Sequence, residues 1–226
     1  MKRTEAEIMG EDEKKNGLIN RSYQFEIRAD KGSGDDDKKG IITGRPIVYE
    51  QKTDICGMFA EVIDKGALDK CDLKDVRFLV NHDLSKIPLA RSRKNTKNST
   101  MQLTPDDEGL GIRVELDVEN NSEARALYSA IERGDISGMS FMFAVDSEKW
   151  EDLKSDYPTR HITAISTVVE VSAVTFPAYE GTSIETAKRD RTALDNARKA
   201  VETARSESVE TDEMELLREK IKIMTM

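Results

Sequence analysis

The chain has 226 residues, 35% of them charged and 5% aromatic, with a formal net charge of −9. That balance excludes general nucleic-acid binding, which needs clustered Lys and Arg to neutralise phosphates; the basic run Arg91-Ser92-Arg93-Lys94 reads as solvated loop charge. No apolar stretch approaches the ~20 residues of a bilayer-spanning helix, so a soluble chain with no membrane partner is expected.

The length suits one domain with polar ends. Residues 1–20 read as a charge-rich N-terminal arm. Tyr23, Phe25 and Ile27 alternate with polar neighbours and predict a first strand. The Gly- and Asp-rich run from Lys31 to Gly40 is loop chemistry, and a second strand follows through Tyr49 to make a hairpin with a long tip. Phe59 to Leu68 has the pattern of a short helix, weakened by Gly66. A strand from Val76 to His82 comes next, then a polar, mobile loop over residues 91–98.

Met101 and Leu103 open another strand, closed by the turn residues Pro105 to Gly109. Leu110, Ile112, Val114, Leu116 and Val118 then alternate with polar residues, the clearest half-buried strand in the chain. Asn120 and Glu123 have capping-box spacing, Ala124, Leu127, Tyr128 and Ile131 form a helical stripe, and Gly134 ends it. Ile136–Val145 and Ile162–Val174 read as two more strands. This pattern predicts a mainly β (α+β) domain over residues 21–184, a mostly antiparallel β-barrel or sheet with a few packed helices.

From residue 185 to 226 the chain is a charged tail, helical or disordered. Leu194, Ala197, Val201 and Ala204 repeat at helical spacing, as do Met214, Leu217, Ile221 and Met224, stripes too thin for an independent core. Docking on a partner is the favoured reading of them. Cys56 and Cys71, the two cysteines, follow no secretory-type segment and read as reduced thiols.

Three residues on separate strand-like segments carry candidate chemistry. His82, one of two histidines, ends an apolar strand and shares a face with Val76, Phe78 and Val80 on strand alternation. A histidine can take and return a proton near neutral pH. Ser140 alternates with the bulky Met139, Phe141 and Phe143, so it points away from the side they pack, with Gly138 leaving space nearby. A serine hydroxyl becomes a nucleophile only beside a base. Glu170 lies within an apolar run and is either a buried acid that orients the imidazole or a solvent-facing residue on a half-exposed strand. Asp83, adjacent to His82, points to the other face. His161 is the rival for the third position and Cys56 a rival nucleophile. Two isolated histidines show no metal-ligand spacing, and no metal or cofactor is expected.

Short segments in a fixed order then narrow the choice: Gly57-Met58-Phe59-Ala60-Glu61-Val62-Ile63, Asn81-His82-Asp83, Pro88-Leu89-Ala90-Arg91, Gly109-Leu110, Gly134 to Phe141, and Glu170 to Ala178. Over residues 41–184 this set resembles the prohead (capsid maturation) proteases of HK97-type tailed bacteriophages. The resemblance implies a closed β-barrel related to the herpesvirus assembly protease. It implies a serine endopeptidase, active inside the procapsid in the host bacterial cytoplasm, that cleaves the scaffolding segment of the major capsid protein and then itself. Homodimerisation is one further implication. By motif, His82 matches the family histidine and Ser140 the nucleophile, while Glu170 stands where the herpesvirus relatives have a second histidine. Those relatives also carry an arginine pair where this chain reads Pro177-Ala178-Tyr179-Glu180-Gly181, so no oxyanion-hole residue is assigned, and Arg91 has no role assigned. The other reading is a non-catalytic scaffold or capsid-assembly protein with a degenerate protease domain.

Overall fold

The computed structural model describes residues 18–23, 27–30, 39–175 and 184–224. Among them are eleven strands in two sheets and two helices. Two compact units share the chain. One comprises Met1–Glu50, Ile63–Ser147 and Ile162–Glu180, the other Gln51–Val62, Glu148–His161 and Gly181–Met226.

The N-terminal alternation resolves into two strands, β1 (Leu18–Tyr23) and β2 (Ile27–Asp30), which join different sheets. In the four-stranded sheet β2 pairs antiparallel with β3 (Gly40–Val48), with the Lys31–Lys38 tip outside the described residues. β3 pairs with β9 (Gly109–Leu116), and β9 pairs with β8 (Met101–Asp106). Leu110, Ile112, Val114 and Leu116 are all buried, as a period of two requires of a strand with one face on the core. The β8–β9 turn depends on Gly109. Its φ is +146°, and a Cβ there would stand 2.0 Å from the Ile47 carbonyl oxygen. Asp106 holds the turn by accepting the Glu108 and Gly109 N–H groups. A two-pronged contact from Arg45 also keeps its carboxyl well below the usual carboxylate range.

Helix α1 (Ser122–Glu132) buries Ala124, Leu127 and Ile131 against this region. Its N-cap is Asn121, one residue later than the spacing predicts. The Asn121 side chain accepts the N–H groups of Glu123 and Ala124, while Asn120 turns back onto Asp117. Gly134, with φ +79°, ends the helix.

The second sheet runs β1, β10 (Gly138–Glu151), β11 (Thr159–Val174), β5 (Phe59–Ile63), β4 (Thr53–Ile55). A short strand β6 (Arg77–Val80) pairs parallel with β11 and antiparallel with β7 (Ala90–Arg91). Among the described residues neither sheet closes on itself, so the closed barrel is not what forms. Strand alternation specifies which face of a strand is buried but not which edges meet. Here β11, sixteen residues long, takes β10 on one edge and both β5 and β6 on the other, and the sheet branches.

The segment read as a helix from Phe59 is strand β5 followed by turns. All five of its residues are buried, so the strand carries no alternation to read. Residues 91–98 also differ from expectation. Ser92 is buried, with its hydroxyl between the Val76 N–H and the Leu73 carbonyl. Asn95 exchanges two hydrogen bonds with the Leu103 backbone, and Arg91 forks onto Asp75.

In the second unit, α2 is a single helix, Ile184–Met224. Its first apolar stripe packs on its own chain: Ala197 and Val201 bury against Ile55 and Phe59, beside Met58 and Trp150. Arg205 secures the contact by donating to the Leu153 and Ser155 carbonyls. Val209, Met214 and Leu217 further along are exposed. No helix among the described residues is long and apolar enough to cross a membrane.

The two thiols sit in opposite environments. Burial pushes the Cys71 thiol up to about 12, whereas Cys56 is exposed. The thiolate is the reactive form. Because the folded chain holds the Cys71 proton more tightly than the unfolded chain, this term favours folding below about pH 9 and is lost as the pH climbs toward 12. Iodoacetamide at pH 8 is therefore expected to modify Cys56 in the native protein and Cys71 only after unfolding. Equal modification of both in native protein, read by peptide mass, is the contrary result.

Candidate active site

The site is built where β10, β11 and the end of β6 meet. On β10, Met139, Phe141 and Phe143 belong to the main core, so Ser140 points from the opposite face. On β11, Val171 and Ala173 belong to that core, and Glu170 and Ser172 point the other way. Ser140, Glu170 and Ser172 thus project from one face of adjoining strands, and each is fully buried. The solvent-facing reading of Glu170 is excluded.

His82 reaches this face through a break in the strand. β6 ends at Val80, and Asn81 and His82 both have left-handed backbones, with φ +53° and +59°. Had the strand continued, alternation would have put His82 on the core side with Phe78 and Val80. The two left-handed residues turn it onto the opposite side, which corrects the face assigned from sequence. This conformation costs L-residues roughly 1–2 kcal/mol each, least for Asn. Local hydrogen bonds offset the cost. The Asn81 N–H donates to the Ala173 carbonyl, and its side-chain oxygen accepts both the N–H and the hydroxyl of Thr175. The His82 N–H donates to Ser172 Oγ at 3.1 Å.

The imidazole pairs through Nδ1 with Glu170 Oε1. In the tautomer with the proton on Nδ1, donated to the carboxylate, the ring presents an acceptor at Nε2. Ser172 Oγ donates to Glu170 Oε2 at 2.5 Å, so both carboxylate oxygens are engaged. His82 Nε2 is buried and makes no hydrogen bond among the described residues, and Ser140 Oγ accordingly does not engage it in this arrangement. Sequence reasoning did not find the parts played by Asn81 and Ser172. The signal for Ser172 was there: two polar residues two apart in an apolar strand share a face.

The other candidates lie elsewhere. His161 pairs with Glu151 at 3.5 Å and makes no hydrogen bond to His82. Cys56 occupies an exposed turn with φ +54°. Asp83 accepts the N–H and hydroxyl of Ser85. The loop Pro177-Ala178-Tyr179-Glu180-Gly181 lies outside the described residues. No group of three or more metal-ligating side chains occurs among the described residues.

No curated protein matches this sequence. Among solved structures, the capsid assembly protease of bacteriophage T4 is similar at 14% identity, covering 72% of this chain and 99% of that one with a TM-score of 0.46. The family model described as caudovirus prohead serine protease matches residues 23–197. That match spans most of the chain, including every strand after β1 and the buried His82–Glu170 pair, and by it the protein belongs to the caudovirus prohead serine protease family.

Proposed function

We propose that the chain is the endopeptidase of capsid maturation, with Ser140 as nucleophile, His82 as general base and acid, and Glu170 as the residue that orients and charges against the imidazole. The supporting observation is the buried His82–Glu170 pair with its unengaged Nε2, on the face from which Ser140 projects. A carboxylate buried with no partner costs several kcal/mol. Here the imidazole and the Ser172 hydroxyl meet that cost, and the same arrangement fixes the tautomer a base needs.

In the reaction, His82 Nε2 takes the Ser140 proton as Oγ bonds to the peptide carbonyl carbon. Glu170 stays ionised and stabilises the imidazolium. The imidazolium then protonates the departing amine as the C–N bond breaks, leaving an acyl-enzyme. Water, deprotonated by the same nitrogen, releases the acid and restores Ser140. Ser140 is buried and not yet on Nε2, so a rearrangement that admits the peptide precedes the first step. Hydrogen bonds of resting enzymes often tighten only with substrate present.

The substrate we assign is the scaffolding segment of the major capsid protein, cleaved inside the procapsid in the host cytoplasm, followed by the protease itself. Co-expression with the capsid protein of the same phage tests this by intact mass. Shortened capsid chains and a shortened protease are expected. Assembly with both chains at full length favours the scaffold reading instead, for which the burial of Ser140 is the one supporting feature.

A further inference from the structure

Ser172 is a fully buried serine in an apolar strand, level with buried Leu79 on the neighbouring strand. An apolar side chain would pack at such a position. Its hydroxyl instead makes two contacts, both to the pair just described. It donates to Glu170 Oε2 at 2.5 Å and accepts the His82 backbone N–H at 3.1 Å. One atom therefore fixes the rotation of the carboxylate and also the left-handed backbone from which the imidazole hangs.

We infer that Ser172 is a positioning residue for the reaction, a hydroxyl bridge that holds Glu170 and His82 in mutual register. The inference rests on the peptidase reading above. Without the hydroxyl, Glu170 Oε2 has no donor and the carboxylate is free to rotate about its last torsion. The His82 N–H loses its acceptor in the same event. Small misplacements of a general base are costly, on the order of 10²-fold for about 1 Å.

The test uses the full-length protein and a fluorophosphonate probe. Ser140 Oγ bonds to phosphorus, fluoride leaves, and the Ser140 proton passes to His82. The labelling rate is measured against probe concentration and pH. Ser172→Ala and Ser172→Val are expected to lower the maximal labelling rate about 10–100-fold and leave the half-saturating probe concentration unchanged. Ser172→Thr, which has the shape of valine but keeps the hydroxyl, should stay within about threefold of wild type. A change in packing alone would not separate threonine from valine. The acid limb of the pH profile should also move to higher pH in the alanine and valine variants. Removing a donor from the carboxylate makes the coupled pair hold its proton more tightly.

If alanine fails to fold, the threonine–valine comparison still decides. Equal rates and unshifted profiles for threonine and valine overturn the role of Ser172. If Glu170→Gln in the same assay is at least 100-fold slow, the site reading survives that failure. Wild-type labelling no faster than Ser140→Ala overturns the site reading itself.

Discussion

Ser140→Ala is expected to lower capsid-protein cleavage by roughly 10⁵–10⁶-fold, the scale seen when the nucleophile of a serine protease is removed. The fold should persist, because the change deletes one oxygen from a strand anchored by Met139, Phe141 and Phe143, all fully buried. Glu170→Gln should cost less, about 10⁴-fold, since the amide keeps the shape of the acid but loses its charge and favours the wrong imidazole tautomer. The order of the two losses carries the information. A pure charge effect from a distant acid gives a small change for Glu170→Gln, whereas an orienting acid gives one just short of the nucleophile's. Both variants are compared by initial cleavage rate on purified capsid protein, with matched circular dichroism spectra. A folded Ser140→Ala protein that cleaves at the wild-type rate removes Ser140 from the mechanism.

How much of this was readable from sequence follows from the range of the interaction that fixes each element. β9 and α1 are amphipathic, so their buried faces are set by local periodicity, and both form as predicted within a few residues. β5 was misread because it is buried on both sides, so that even its one charged residue, Glu61, marks no solvent face. The strand pattern left barrel and open sheet undecided, and the resemblance chose the closed barrel that does not form, because edge pairing is decided by distant strands. β11 binds β6 some ninety residues back in the chain, and nothing in either strand's own pattern announces it.

The site shows the same division. That Ser140 faces away from the bulky side of its strand was legible in the alternation. That His82 shares the face of Ser140 was not, since it depends on two left-handed residues stabilised by Ser172 and Ala173 of β11 and by Thr175 just beyond it. Strand alternation alone points His82 into the main core.

Arg160→Ala is expected to destabilise the second unit by about 3–5 kcal/mol, the range for removing one partner of a buried ion pair. Arg160 follows the polar run Asp152–Tyr157, the kind of neighbourhood in which an arginine is ordinarily exposed. The structure instead leaves only 8% of the Arg160 side chain and none of Glu61 exposed. Arg160 Nη1 donates to Glu61 Oε2 at 3.1 Å, and its Nε and Nη2 both reach Glu148. The guanidinium also lies over the Trp150 ring, 5.9 Å from its centroid, and Trp150 meets Phe59 edge-on at 5.0 Å. Phe59 in turn holds Ala197 and Val201 of α2. Truncation therefore takes the guanidinium away from the buried Glu61 carboxylate and undercuts the surface on which the helix rests.

Two results separate these effects. Hydrogen exchange across residues 195–205 should accelerate in Arg160→Ala, because the docked turns of α2 lose their support. Adding Glu61→Leu to Arg160→Met should recover most of the lost stability in urea unfolding, since an apolar pair of similar volume needs no counter-charge. A stability loss under about 1 kcal/mol for Arg160→Ala, the range of exposed pairs, would mean that solvent reaches Glu61 readily and that the network does not hold the unit together.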